Sequence, residues 1–497
     1  MAAMLGLVTA DNLLLLFVFW ELTSITSYML IGFNHESEKA RKLALQGLFV
    51  TVGGGLLLMT GVILLGSIAG TLQLSQIIQQ PLAEQGALVN LMLVLILMGA
   101  LTKSAQFPFH FWLPNAMAAP TPVSAFLHSA TMVKAGIFLM ARLHPALSDY
   151  TLWSNLQLWA GGTTMVLASM LAYTAIDLKK ALAYSTLIAL GTLTFLLGMR
   201  HHAAMVAFVS FLLAHSLYKA SFFMLAGAID HSAGTKDLSL LGGLKKSMPK
   251  TFILMVIAAL SLAGLPPVFG FIAKELLFEA AFDMHTSLVL VAFVMACLGV
   301  AVAIILALRP FLGSDAKLPQ KPHEAHWPML LGPAVLLCLS LLFGVWPAIA
   351  DKGLIQAAVN AISTQSTVFY LSVWHGFNMA LGLSVLALVI GIVLAKAWQP
   401  CRKLAAKQRA LSESYGPEAG YFKMMDGLVW LAKTQTRIVQ NGRLGIYMIV
   451  IVLAVVVPVL YTLLTQHGWP LKRTAPCPGV APGQSLVRVG AIECKLR

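Results

Sequence analysis

Long apolar runs alternate with short polar connections along most of the chain. Twelve runs stand out, near 13–33, 44–70, 88–107, 121–143, 152–175, 182–199, 202–230, 251–282, 286–309, 328–350, 374–397 and 444–466. Crossing the hydrocarbon core takes about 20 apolar residues. In lipid every backbone N–H and C=O has to be bonded within the protein, so each run is predicted to be helical. A shorter run, MAAMLGLVTA at 1–10, cannot span alone and reads as the second half of a helix whose first half is missing. Segment 421–443 is too polar to span. Phe422, Met425, Val429 and Ala432 recur there at helical spacing, with Lys423, Asp426, Lys433 and Arg437 elsewhere. That pattern predicts an amphipathic helix on the cytoplasmic membrane surface; the alternative is a solvated linker helix. Residues 467–497 carry Pro and Gly with no helical period. The two ends together read as a truncation or a frame shift.

Of the 497 residues, 59% are hydrophobic and 10% charged, and mean hydropathy is +0.83. A soluble domain carries about 25% charged residues, so this chain cannot cover itself with a water-facing surface. The net charge of +14 sits in the connections and comes with no nucleic-acid-binding motif, so nucleic acid is not an expected partner. Lys39, Arg41 and Lys42 follow the first run, and no basic residue follows the second. Lys179 and Lys180 occupy 176–181; Lys236, Lys245, Lys246 and Lys250 occupy 231–250; none lies at 283–285. Lys317 and Lys321 fall at 310–327, beside Arg309, and nine basic residues fall at 396–443. This alternation is the positive-inside pattern and puts the basic connections in the cytoplasm. The five cysteines (Cys297, Cys338, Cys401, Cys477 and Cys494) show no metal-ligand spacing, and no disulfide framework is implied. The start lacks the basic region and cleavage site of a signal peptide.

Two apolar segments contain helix breakers. GALTKSAQFPFHFWLPNAMAAPTP holds Pro108, Pro114, Pro120 and Pro122; SLAGLPPVFGFIAKE holds Gly264, Pro266, Pro267 and Gly270. Proline removes a backbone donor and clashes with the preceding turn, so each segment is predicted to be a discontinuous membrane helix. Such backbone is tolerated only where protein packs on it or it lines a wet cavity. Paired broken spans in two halves of a chain point to a transport site. Lys103 lies beside the first break and Lys274 beside the second.

An ionisable group at the centre of a membrane helix costs roughly 2.5–3.5 kcal/mol on the insertion scale. Glu21 is mid-span in LLLLFVFWELTSITSYMLIGF, and Lys134 is central in HSATMVKAGIFLM. His215 and Lys219 are four residues apart, so they share a helix face. His110 and His128 complete the set. A lysine near a helix end can snorkel to the headgroups, which would account for Lys103 but not for the central Lys134 and Lys219. Glu21 is too short to snorkel and could instead form one structural ion pair. His110 and His128 could be hydrogen-bonded packing residues.

Burial disfavours the charged form of Lys and Glu, and pairing restores it. A lysine that changes protonation as a neighbouring charge moves is a proton carrier, and a neutral histidine between carriers donates at one nitrogen and accepts at the other. The set therefore reads as a proton relay that needs no cofactor or metal. No GxxxxGK[ST], CxxCH or HExxH occurs to suggest nucleotide, haem or zinc. The glycines at 53–55 read as close helix packing.

The strings FWELTSITSYMLIGF, TKSAQFPFHFWLPNAMAAPTPVSAFLHSATMVKAG, DLKKALAYSTLIALG, HSLYKASFFMLAGAIDH and SLAGLPPVFGFIAKELLFEA resemble the antiporter-like subunits shared by respiratory complex I and Mrp cation/proton antiporters. The match covers about residues 1–310. Within the family, HSATMVKAG, FIAKELLFEA and VWHGFNMALGLSVLALVIG are most similar to the large A subunit of Mrp antiporters. The resemblance implies an all-α polytopic membrane protein with two inverted five-helix bundles, each with a discontinuous helix, here N-terminally truncated. It divides the chain into a helix remnant at 1–12, bundles at 13–143 and 144–309, and additional transmembrane helices at 310–399. A cytoplasmic linker with an interfacial helix follows at 400–443, then a last span at 444–466 and an irregular tail at 467–497. By position, Glu21 would pair with Lys103 and modulate it. Lys134 would link the first half-channel to the centre, His215 and Lys219 would continue the axis, and Lys274 would be the second exchange residue. His110 and His128 match polar positions of less defined role. Departures are the absence of the first three helices and part of the fourth, the lack of further helices after the last span, and Ala189 where the pattern often has Gln.

The expected function is therefore a proton-translocating subunit of a hetero-oligomeric Na⁺(K⁺)/H⁺ antiporter in a bacterial inner membrane. Its partners would be other subunits, lipid, H⁺ and Na⁺ or K⁺. Rivals of the same fold are a subunit of a quinone- or hydrogenase-linked pump, or of an inorganic-carbon uptake complex. A membrane-embedded transferase would need polar catalytic loops that are missing here, and a purely structural subunit would not need four buried lysines.

Overall fold

The structure is a computed structural model that describes residues 1–79, 86–313, 318–363, 368–374, 376–440 and 442–466, with short pieces at 488–489 and 492–493. Lys317, Cys477, Cys494 and most of the 467–497 tail lie outside the described residues. In chain order the helices are α1 (Ala2–Thr9), α2 (Leu13–Ile31), α3 (Glu38–Ala69), α4 (Leu74–Gln79), α5 (Ala87–Lys103), α6 (Trp112–Asn115), α7 (Thr121–Ser129) and α8 (Lys134–Leu147). They continue with α9 (Thr151–Thr174), α10 (Leu178–Gly198), α11 (His202–Ala233), α12 (Pro249–Ala263), α13 (Phe269–Phe282), α14 (Thr286–Leu308) and α15 (Trp327–Val345). The last are α16 (Pro347–Ala350), α17 (Gln356–Ile362), α18 (Met379–Lys396), α19 (Trp398–Tyr415), α20 (Pro417–Val439) and α21 (Leu444–Gln466). Two two-residue strands, β1 (Arg488–Val489) and β2 (Ile492–Glu493), pair antiparallel.

Each of the twelve apolar runs contains helix among the described residues. Among the described residues, nine segments are long and apolar enough to cross a membrane. The difference has local causes. The runs at 88–107 and 251–282 are cut into helices of 17, 15 and 14 residues. The 24-residue α9 carries Ser154, Asn155, Gln157, Thr163 and Thr164. The chain divides into two compact units, Met1–Gly420 and Tyr421–Arg497. Residues 13–143 and 144–309 thus lie within one unit. The predicted amphipathic segment is helical as α20, which begins at Pro417 and ends at Val439.

Local chemistry sets the helix ends. Asn12, Ser37, Asp177 and Asn378 cap α2, α3, α10 and α18 by accepting from first-turn backbone N–H groups, as short polar side chains do. Gly70 and Gly234 end α3 and α11 in the left-handed conformation, where glycine has no Cβ penalty.

Sorting of the faces follows the solvent. On α2, Leu15, Val18, Leu22, Ile25 and Met29 form the exposed stripe, while Trp20, Thr23, Ser24 and Ser27 are buried. The outward face is the more apolar one, as lipid demands of a helix whose polar groups face protein. The central element is α10, with 94% of its apolar window buried between α9, α11 and their neighbours. Small residues let it approach α9. A Cβ at Gly161 would meet the Phe195 backbone and the Gly191 carbonyl, and one at Gly191 would meet Met165 N at 2.7 Å. This is small-residue packing of the kind membrane helices use.

Both predicted interruptions are present. The helical path stops at Lys103, passes through the Pro108 region, and resumes in short turns before α7; the other gap is 264–268 between α12 and α13. A third interruption, at 130–133 between α7 and α8, contains neither Pro nor Gly. Hydroxyls compete for the backbone there: Thr131 Oγ1 donates to the Phe126 carbonyl at 2.8 Å and Ser129 Oγ donates to the Ala125 carbonyl. Such back-bonding bends helices.

Gly161→Leu should lower the unfolding midpoint of the chain purified in detergent, because overpacking a tight contact costs about 1–3 kcal/mol. An unchanged midpoint in a fluorescence-monitored melt would contradict the α9–α10 contact.

Candidate functional site

The buried lysines are held by neutral oxygens. Lys103, the last residue of α5, is fully buried. Its Nζ donates to the Trp20 carbonyl at 2.9 Å and to Ser24 Oγ at 2.6 Å, and it sits 5.1 Å from the centroid of the Trp20 ring. Lys219 on α11 is also fully buried. Its Nζ donates to Ser185 Oγ at 2.5 Å and to the Leu182 carbonyl at 3.3 Å.

The two cradles share a pattern. The Trp20 carbonyl also accepts from Thr23 Oγ1 at 2.7 Å and Ser24 Oγ at 3.4 Å. The Leu182 carbonyl also accepts from Ser185 Oγ at 2.9 Å and Thr186 Oγ1 at 3.0 Å. In each case hydroxyls three and four residues on converge on one carbonyl, and a lysine from another helix joins them.

Lys134 is the first residue of α8, at the unpredicted interruption. Its Nζ donates to Ser216 Oγ on α11, beside His215. Lys274 lies one turn into α13 and folds back across the second break, where its Nζ donates to the Ala263 carbonyl at 3.0 Å. Ala263 is the last residue of α12. Gly264 makes this possible twice over. Its φ is +65°, and a Cβ there would stand 2.7 Å from Lys274 Cδ.

Glu21 and Lys103 do not form the direct ion pair expected of them. Ion pairs form at Lys42–Glu38, 2.7 Å, and Lys236–Asp177, 3.5 Å, both away from Glu21 and Lys103. The Lys103 amine is occupied by Trp20 and Ser24, while Glu21 Oε1 is buried without a hydrogen bond and packs against Gly55 of α3. A side chain at Gly55 would collide with that carboxyl, and one at Gly54 with Thr102 beside Lys103. Gly53 faces open space, so two of the three glycines serve close packing.

The histidines have free nitrogens. Both ring nitrogens of His128 and of His215 are buried without hydrogen-bond partners, as is Nδ1 of His110. His215 stands edge-on to Tyr218 with centroids 5.5 Å apart, His128 lies 6.0 Å from Phe223, and His110 stacks on Phe107 at 5.9 Å. Ser104 Oγ and Gln106 Oε1, close to Lys103 in the chain, are also buried and unpartnered; Ser104 Oγ abuts Gly136 of α8. Thus α11 gathers His215, Lys219 and the acceptor of Lys134 in one place, and Lys103 and Lys274 sit at the two breaks.

A carbonyl or hydroxyl acceptor accommodates an ammonium with three N–H donors or a neutral amine with two. A carboxylate partner would instead hold the proton in place. This arrangement therefore lets each lysine exist in either form without rebuilding its surroundings.

The serines and threonines of the cradles were not expected from the sequence. Their signal was present as adjacent hydroxyls inside apolar runs, Thr23–Ser24 and Ser185–Thr186. Glu275 was not expected either; it is buried next to Lys274 and accepts from Ser384 Oγ of α18.

The fold and site define a polytopic helical membrane protein with interrupted helices and a buried lysine row. Residues 10–299 match the family described as "NADH:quinone oxidoreductase/Mrp antiporter, TM". The chain belongs to that family. It is similar to the probable A/B subunit of a K(+)/H(+) antiporter from Rhizobium meliloti, with 44% identity over 403 residues that cover 79% of this chain and 40% of that protein. It is similar to the A subunit of a Na(+)/H(+) antiporter from Alkalihalophilus pseudofirmus, with 36% identity over 511 residues, 95% of this chain and 63% of that protein. Among solved structures it resembles a chain of the Mrp complex from a Dietzia species, with a TM-score of 0.83 and 35% identity over 97% of this chain and 52% of that one. The chain thus spans about half the length of the relatives it matches.

Gly264→Ala should destabilise the purified chain. A non-glycine residue in the left-handed conformation costs roughly 1–2 kcal/mol, and the contact with Lys274 adds to it. A thermal midpoint equal to that of the unsubstituted chain would contradict the fold-back of Lys274.

Proposed function

We propose that the chain is a proton-translocating subunit of a hetero-oligomeric Na⁺(K⁺)/H⁺ antiporter in a bacterial plasma membrane, and a transporter component rather than an enzyme. The observation that carries this reading is the row of buried lysines, each held by neutral oxygens and three of them, Lys103, Lys134 and Lys274, placed at helix interruptions. Protons would pass along Lys103, Lys134, His215, Lys219 and Lys274. His110 and His128 would be side stations, and Glu21 would bias Lys103 through space. Lys103 and Lys274 would exchange protons because a break leaves the backbone beside each free to shift. The names of similar proteins support a monovalent cation as the counter-ion. The remaining subunits would be needed for transport.

The family also includes quinone-linked pumps, where the same relay would be driven by electron transfer. The neighbouring genes separate the readings: small antiporter subunits favour exchange, and redox subunits favour a pump.

In inside-out vesicles carrying the whole complex, Lys103→Ala should abolish Na⁺- or K⁺-driven proton movement, followed with a pH-sensitive dye, while the complex still assembles. Full retention of exchange would overturn the relay. Ser24→Ala removes one of two acceptors of Lys103 and should reduce exchange by about two- to twelvefold, the rate equivalent of one hydrogen bond worth about 0.5–1.5 kcal/mol. Wild-type rates in that variant would show the Ser24 contact to be incidental.

A further inference from the structure

Three helix ends and one connection meet beside the basic connections. They are the end of α9 at Tyr173, the α11–α12 connection at Leu238, Arg309 just after α14, and Trp398 at the start of α19. Trp398 is nearly fully buried, and its Nε1 donates to the Tyr173 carbonyl at 2.6 Å. Two guanidinium groups share its indole, Arg309 at 4.4 Å and Arg402 at 5.0 Å from the ring centroid. Arg309 Nε is anchored on the Leu238 carbonyl at 2.9 Å. Arg402 Nη1 is buried without a hydrogen-bond partner. Neither arginine is in an ion pair among the described residues.

We infer that Arg309 and Arg402, clamped by Trp398, form a binding site beside the basic connections for a phosphate group supplied by an anionic phospholipid headgroup or by free phosphate. Two guanidinia held against one ring repel each other, and an anion bound to them offsets that repulsion. Arginine forks match phosphate oxygens bidentately, and basic pockets between membrane helices on the cytoplasmic side bind anionic headgroups. The buried, unpartnered Nη1 of Arg402 supplies a donor for such an oxygen. The site is separate from the lysine row and would fasten α19 to α9 and α14.

The test uses the assembled complex in nanodiscs of phosphatidylcholine with added phosphatidylglycerol, and separately in lipid-free detergent with inorganic phosphate. Bound phosphatidylglycerol is counted by native mass spectrometry, and unfolding midpoints are recorded in both series. The unsubstituted protein should retain phosphatidylglycerol over phosphatidylcholine, and Arg309→Gln with Arg402→Gln should lower that retention by about fivefold per arginine. A midpoint raised by phosphatidylglycerol alone identifies the lipid as the source, and one raised equally by inorganic phosphate identifies the free anion. Should the double Gln variant fail to fold, Arg309→Lys with Arg402→Lys keeps the charge and loses the planar fork. It should then bind less phosphatidylglycerol than the unsubstituted protein. Retention and midpoints that do not depend on either arginine would overturn the proposal.

Discussion

A backbone carbonyl inside a membrane protein has two lone pairs and no water to fill the second. In this chain that spare capacity is what holds the lysines. The Trp20 and Leu182 carbonyls each collect two hydroxyls and a lysine amine, and the Ala263 carbonyl, at the end of a broken helix, takes Lys274. The alternative for each amine would be burial without a partner, which costs far more than any hydrogen bond contributes. The positions of the lysines therefore depend on where helices stop and where hydroxyls stand.

Holding a lysine by neutral oxygens has a functional consequence. A carboxylate partner would trap the proton, whereas carbonyl and hydroxyl acceptors serve both protonation states. Glu21 fits this logic by standing near Lys103 without bonding to it. Its carboxyl fits because Gly55 has no side chain. The His128 and His215 rings, with nitrogens unfilled, are poised to bond to whatever moves past them.

Much of the architecture was readable from the amino-acid order. Apolar run length anticipated the nine described segments that are long and apolar enough to cross a membrane, and Pro266, Pro267 and Gly264 predicted the second break, because these residues act locally on the backbone. The interruption at 130–133 was not readable. The hydroxyls of Ser129 and Thr131 bond back to carbonyls there, and similar bonds from Ser27 and Thr186 leave their helices intact. The Glu21–Lys103 pair was implied by the family resemblance, and the structure sends the amine to Trp20 and Ser24 instead.

What the sequence determined by itself is the cost: which residues are too polar for the membrane and which backbone segments cannot stay helical. Those follow from composition and local sterics, so Glu21, Lys103, Lys134, His215, Lys219 and Lys274 could be named without coordinates. Only the tertiary structure decided how each cost is met. The partners of Lys103, Lys134 and Lys219 come from helices 34 to 83 positions away in the chain, and Arg309 and Arg402 meet on one indole though 93 positions separate them (402 − 309). Hydrogen bonds and ring contacts act over a few ångströms, so such pairings exist only once the helices are packed.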